Sequence, residues 1–135
     1  MLTQLRNVIE GTFDRERRWF GEDQCEIIGP VFTEGGATGD SVQLATIATY
    51  VDCFVREISG ASAQVVIGGA AYISSHQIEV KSNSVTIAIT PEYRIRVYAR
   101  DGVPERIFEN PVTTSASYAP LVEMKAQLVR QGFSR

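Results

Sequence analysis

The sequence predicts a mainly β fold: a small antiparallel β-barrel or sandwich of six to seven strands with one N-terminal α-helix. Three observations predict it. From residue 25 onward, short β-branched and aromatic runs alternate with Gly, Ser, Asn and Pro, the pattern of strands divided by turns. Several of these runs alternate apolar and polar residues with a period of two, most cleanly in HQIEVK and YRIRVYAR. Only the start of the chain carries a helical period. One helix followed by a run of strands argues for a sheet closed or folded on itself, with the helix packed on or beside it. The 135 residues suffice for a single domain, read as an N-terminal helical segment (1–24) and a β-barrel domain (25–135).

Residues 3–20 read as the helix, with Thr3 as a candidate cap. Leu5, Ile9 and Phe13 recur at four-residue spacing with Val8 beside them, which predicts one apolar face. Asp14-Arg15-Glu16-Arg17-Arg18 reads as a solvated, mixed-charge end. CEIIGPVFT is a first strand, broken or bulged near Gly29-Pro30. EGGATGD is a loop. SVQLATIATYVDCFVREI is long for one strand and is expected to bend or bulge midway. Ser59 to Ser75 is a glycine- and alanine-rich connection with an apolar centre at Val65-Val66-Ile67. HQIEVK is a strand with His76, Ile78 and Val80 on one face. SNS is a turn, and VTIAI reads as the next strand through Val85, Ile87 and Ile89. Tyr93 to Glu109 is a hairpin turning at Asp101-Gly102, and VTTSASYAP is a polar connection. The last segment, Leu121 to Val129, fits a helix or a strand, and its two-residue alternation favours the strand.

Composition narrows function. A formal net charge of −3 argues against a duplex-DNA binder. Of the 13 basic residues all but Lys81 and Lys125 are arginine, a residue enriched at protein interfaces. Cys25 and Cys53 have no metal-ligand spacing and read as buried or half-buried thiols in a reducing cytosol. His76 is the single histidine, so no metal site is expected, and neither a GxSxG nor a phosphate-binding glycine loop occurs. An enzyme is not expected, nor a cofactor. No apolar run approaches the ~20 residues of a membrane span.

The hairpin holds the sharpest feature. Tyr93, Ile95, Val97 and Ala99 fall on one strand face, and Arg94, Arg96, Tyr98 and Arg100 on the other. A face of arginines and an aromatic suits a single-strand-binding barrel. Glu105 and Glu109 follow across the turn, and cross-strand charge pairing is the favoured account.

The order of segments resembles the head–tail joining family of tailed bacteriophages, also called stopper or head-completion proteins. Val51-Asp52-Cys53-Phe54-Val55 stands where that family has a hydrophobic-aromatic doublet, commonly Trp-Ala. Ser59 to Ala71 stands for its long glycine-containing loop, and Ser75 to Lys81 for its histidine strand. Ile89-Thr90-Pro91-Glu92-Tyr93-Arg94-Ile95 matches the I-x-P-x-x-R-I approach. Arg106-Ile107-Phe108-Glu109 matches the last signature, and Leu121 to Val129 the closing strand. The likeness covers about residues 26–130.

This resemblance implies a homo-oligomeric ring, six- or twelve-fold, in the virion neck and made in the host cytoplasm. Its partners would be portal or adaptor proteins above, tail terminator or tail-tube proteins below, and packaged double-stranded DNA in the channel, held without sequence specificity. It implies that the loop takes part in closing the channel, here Ser59, Gly60, Val65, Val66, Ile67, Gly68 and Gly69. Arg94, Arg96, Arg100 and Arg106 are then expected at subunit or docking interfaces first, and against DNA phosphate second. A tail terminator or other neck ring protein is the near alternative; a small β-barrel binding single-stranded nucleic acid is the alternative of another class.

Overall fold

The computed structural model describes residues 2–33, 35, 39, 41–116 and 118–132. Most of the expected loop EGGATGD lies outside them. Among the described residues the chain forms helix α1 (Leu2–Phe20) and eight strands: β1 (Asp23–Thr33), β2 (Ser41–Glu57), β3 (Gln64–Ile67), β4 (Ala70–Ile73), β5 (His76–Lys81), β6 (Arg94–Val97), β7 (Arg106–Thr113) and β8 (Leu121–Gln131). Six of them close an antiparallel barrel in the order β1-β2-β5-β8-β7-β6. The pair β3–β4 forms a separate two-stranded sheet. The predicted mainly β fold with an N-terminal helix is therefore the observed one, and it is a barrel rather than a sandwich.

Alternation builds the interior. Cys25 and Ile27 of β1, Val51 and Cys53 of β2, Ile78 and Val80 of β5, Ile95 and Val97 of β6, Phe108 of β7, and Met124 and Ala126 of β8 all point into one core. The ambiguous last segment is a strand. Paired over Leu121–Ala126 with β5, from His76↔Ala126 to Lys81↔Leu121, it presents Met124 and Ala126 inward as the alternation predicts.

β2 bends where expected. Its pairing with β1 slips between Cys25 and Ile27 and again between Ile27 and Ile28, and Tyr50 takes a positive φ of 50° at the bend. β1 itself runs unbroken through Gly29-Pro30, which pair with Ala45 and Leu44. Pro30 is tolerated because no strand pairs with β1 on its other side beyond Ile28.

Four further expectations are corrected. The VTIAI run is not a strand: after a single 3-10 turn at Ser82–Ser84 the chain crosses irregularly toward β6, with Ile89 tucked into the core. β7 does not stop at Asn110-Pro111 but continues to Thr113, with Asn110 at a φ of 53° in the bulge between Glu109 and Val112. In the helix, Leu5 and Val8 lie 57% and 65% exposed, and burial centres on Phe13 and Arg17. Thr3 lies inside the helix rather than capping it.

Arg17 explains how the helix docks. Its Nε donates to the Cys53 carbonyl at 3.1 Å and its Nη2 to the Asp23 carbonyl at 2.8 Å. Phe13 fills the contact one turn earlier, with the Lys81 ammonium 6.0 Å from its ring centroid and ion-paired at 3.1 Å to Asp14. The mixed-charge segment thus supplies an anchor on the barrel wall.

Candidate functional site

Two features carry the sequence's functional residues: the hairpin between β2 and β5, and the arginine-carboxylate surface of β1, β6 and β7.

The glycine- and alanine-rich connection expected between Ser59 and Ser75 contains regular structure. A short 3-10 turn at Gly60–Ala63 leads into β3, and β4 returns antiparallel, with pairs from Gln64↔Ile73 to Ile67↔Ala70. The tight turn uses Gly68 and Gly69, both at positive φ (58° and 82°), which is what a two-residue hairpin with strand-matching twist requires. The β preference of Val65-Val66-Ile67 is thereby satisfied within the chain. Alternation splits the hairpin into two faces. Val65 faces inward and is buried, whereas Val66 and Ile73, on the opposite face, are 68% and 73% exposed. Ser74 N donates to the Ala63 carbonyl at 2.7 Å, and Gln127 Nε2 on β8 to the Ile73 carbonyl at 3.0 Å, so the base of the hairpin is tied to the barrel. Ser59 precedes the turn and accepts a hydrogen bond from Ser62 at its carbonyl.

The four arginines are each paired within the chain. Arg94 meets Glu109 at 3.1 Å, the residue opposite it in the β6–β7 register. Arg96 meets Glu26 at 2.8 Å and Glu105 at 3.8 Å. Arg100 and Arg106 converge on one oxygen of Asp23, at 2.7 and 3.1 Å. Asp23 is buried, at a position that no local pattern singles out. Partial burial opposes the charge of Arg96, but Glu26 and Glu105 outweigh it, so the guanidinium holds its proton more firmly than usual. The cross-strand pairing favoured from sequence is thus found for Arg94 with Glu109 and for Arg96 with Glu105, β1 adding Glu26 to Arg96, whereas Arg100 and Arg106 meet Asp23 of β1 instead. Beside it, Arg96 lies 5.2 Å from the Tyr98 ring, which is 5.0 Å from the Tyr50 ring.

His76 is a packed strand residue. Its ring meets Phe108 edge-on at 5.0 Å, and Nδ1 lies 2.8 Å from Ser75 Oγ. Burial lowers its pKa below the ordinary 6.5; Glu57 opposes this, and Arg106 adds to it. A lowered folded-state pKa means that the unfolded chain takes the proton more readily. The stability His76 contributes is complete above pH 6.5 and is lost as pH falls from there through the lowered folded value. His76→Gln is therefore expected to flatten stability against pH in that window, read from urea midpoints at a series of pH values; an unchanged slope contradicts it.

Cys25 and Cys53, far apart in sequence, are neighbours inside the barrel. Both are fully buried and unbridged. The hydrogen bond to Cys25, together with burial, pushes the Cys53 thiol well above its ordinary range. Among the described residues no group of three or more His, Cys, Asp or Glu could hold a metal ion, and no helix is long and apolar enough to cross a membrane. A comparison with protein-family models and with curated proteins finds no match to this chain.

Proposed function

We propose that the chain is a structural ring protein of a tailed-phage neck, which closes the DNA channel after packaging and offers a platform to the tail. The observation that carries the reading is the β3–β4 hairpin: a short apolar ribbon extruded from a closed barrel between β2 and β5, its outer face uncovered at Val66 and Ile73. In a head-to-tail ring, one such ribbon per subunit meets its copies around the axis. There apolar faces pack, and open edges pair. A plug of this kind blocks DNA sterically and needs no basic lining. The pairing of Arg94, Arg96, Arg100 and Arg106 within the chain is compatible with that, since it leaves little free positive charge to grip phosphate. Arg94 and Glu109, half-exposed at 49% and 36% of their side chains, are placed to set register against a neighbour. The role is mechanical, without catalysis, cofactor or metal, and the location is the virion neck. A tail terminator would share the ring and differ in which neighbour it meets.

The test is deletion of Gln64 to Ile73 with a two-residue glycine bridge. The expected result is a folded subunit that still enters particles, with heads that lose their DNA. Heads that retain the genome as the parent does would remove the gate from the proposal.

The Tyr50–Tyr98–Arg96 stack favours one second reading, a platform for single-stranded nucleic acid. Glu26 and Glu105 beside it weigh against phosphate. Oligonucleotide affinity falling steeply with added salt would favour this reading over the neck ring.

A further inference from the structure

We infer that Cys25 and Cys53 are a latent redox pair. A small-molecule disulfide closes them into a bond across the β1–β2 seam once the start of β1 opens, and the docking of α1 holds that opening shut. The device belongs to the single subunit and does not depend on the ring.

Register makes the two thiols neighbours. Asp23 pairs with Cys53 and Cys25 with Val51, so the cysteines are diagonal partners on the inward face. Both are fully buried, and their side chains are hydrogen-bonded to each other. Burial keeps the pair inert while the barrel is closed, because the thiolate is the reactive form and no oxidant reaches it. Reaction therefore needs an opening, and the two cysteines differ in how one is reached. Cys53 lies between two paired strands, opposite Asp23 of β1 and Val80 of β5. Cys25 lies close to the start of β1 at Asp23, and β6 joins β1 in register only from Cys25 onward. Before that point one bond crosses from β6, Tyr98 N to the Gln24 carbonyl at 2.9 Å. Fraying of the strand start thus uncovers Cys25 first.

Three arginines hold that start in place. Arg17 of α1 donates to the Asp23 carbonyl at 2.8 Å and to the Cys53 carbonyl at 3.1 Å, bridging the two strands beside both thiols. It also meets Asp52 at 3.3 Å. Arg100 and Arg106 hold the Asp23 carboxylate. Gly21, which leads from α1 into β1, has a φ of 129°, with the Arg100 guanidinium packed where a side chain would stand. Among the described side chains of α1 only Phe13 and Arg17 are buried, so the helix is lightly held. A helix that leaves the barrel withdraws Arg17 from both carbonyls and lets the start of β1 fray. Cys25 as thiolate then attacks one sulfur of a small-molecule disulfide and displaces the other as a thiolate. Cys53 attacks the Cys25 sulfur of that mixed disulfide and displaces the second. Two protein thiols are oxidised, the small disulfide is reduced to two thiols, and the two protons end on those products. The new bond staples β1 to β2 and stabilises the fold by restricting the unfolded chain. A chain kept in a reducing compartment retains its thiols; one that opens in an oxidising medium becomes locked.

Glutathione disulfide tests this on the full chain, read by intact mass after alkylation of the remaining thiols. The parent should lose both thiols slowly, as an internal disulfide without glutathione attached. In urea well below the unfolding midpoint the rate should rise, with a slope smaller than that of global unfolding, because only the start of β1 opens. R17A should oxidise roughly tenfold faster or more at equal urea, since two bonds from a charged donor are lost. C53S should stop at a single glutathione on Cys25, and C25S should stay unmodified in the same time. The oxidised parent should unfold at a higher urea midpoint that reductant restores. Oxidation of the parent that tracks global unfolding alone would overturn the inference, a result that counts even if R17A does not fold. Glutathione that stays on Cys25 of the parent without Cys53 displacing it would overturn it as well.

Discussion

Replacing Asp23 with alanine is expected to destabilise the subunit by about 3 kcal/mol, because it strips the shared counter-charge from two guanidiniums. The Asp23 side chain is 7% exposed, and the Arg106 side chain that faces it 15%. Arg106 Nη2 meets Asp23 as an ion pair at 3.1 Å without hydrogen-bond geometry, and Nε has no acceptor among the described residues, so the Asp23 carboxylate is the main compensation for that charge. Arg100 is a third exposed and recovers part of its hydration, which places the cost at the low end for a broken buried pair. With a urea slope of roughly 2 kcal/mol/M, the midpoint falls by roughly 1.5 M. Asp23→Asn keeps oxygen acceptance and should cost less. A midpoint within experimental scatter of the parent would mean that the Asp23 cluster is solvated and structurally idle.

Phe13→Ala is the second large effect, and it separates the helix from the barrel. Phe13 is 1% exposed and is the apolar anchor of α1. Truncating a buried phenylalanine costs about 3–5 kcal/mol. A 19-residue helix carrying Gly11 is marginal on its own in water, so the loss falls first on the helix. The expected outcome is a reduced helical circular-dichroism signal with the cooperative barrel transition retained at a lower midpoint. Full helical signal and an unshifted midpoint would show that Arg17, through its bonds to the Cys53 and Asp23 carbonyls, holds the helix without help.

Much of the barrel was legible because alternation reports burial directly. β5, β6 and β8 each place on one face the residues that reach the core, and the turn at Asp101-Gly102 falls where the sequence places it, Gly102 adopting a φ of 75°. The misread run, Val85 to Ile89, has the same alternation as a strand. What denies it a partner is long-range: β5 is already flanked by β2 and β8, so no edge is free. Arg17 was illegible for a related reason. Charge beside charge looks solvated, and only the fold brings the carbonyls of Cys53 and Asp23 to it. The paired thiols and Asp23 are likewise products of register. At the candidate site, Glu109 opposite Arg94 follows from hairpin counting, but Glu26 reaches Arg96 through the β1–β6 closure of the barrel, which no local pattern announces. In the glycine-rich connection, Gly68-Gly69 form the turn that lets Val65 to Ile67 find a partner at once.

In the proposed reading this barrel works as one member of a closed ring whose hairpins gather at the axis. Electron microscopy of purified phage particles, prepared with and without the chain, tests it most directly. The account predicts a ring of density below the portal, with the β3–β4 hairpins at its inner rim, that vanishes together with the chain. Particles whose necks are identical in the two preparations would contradict it.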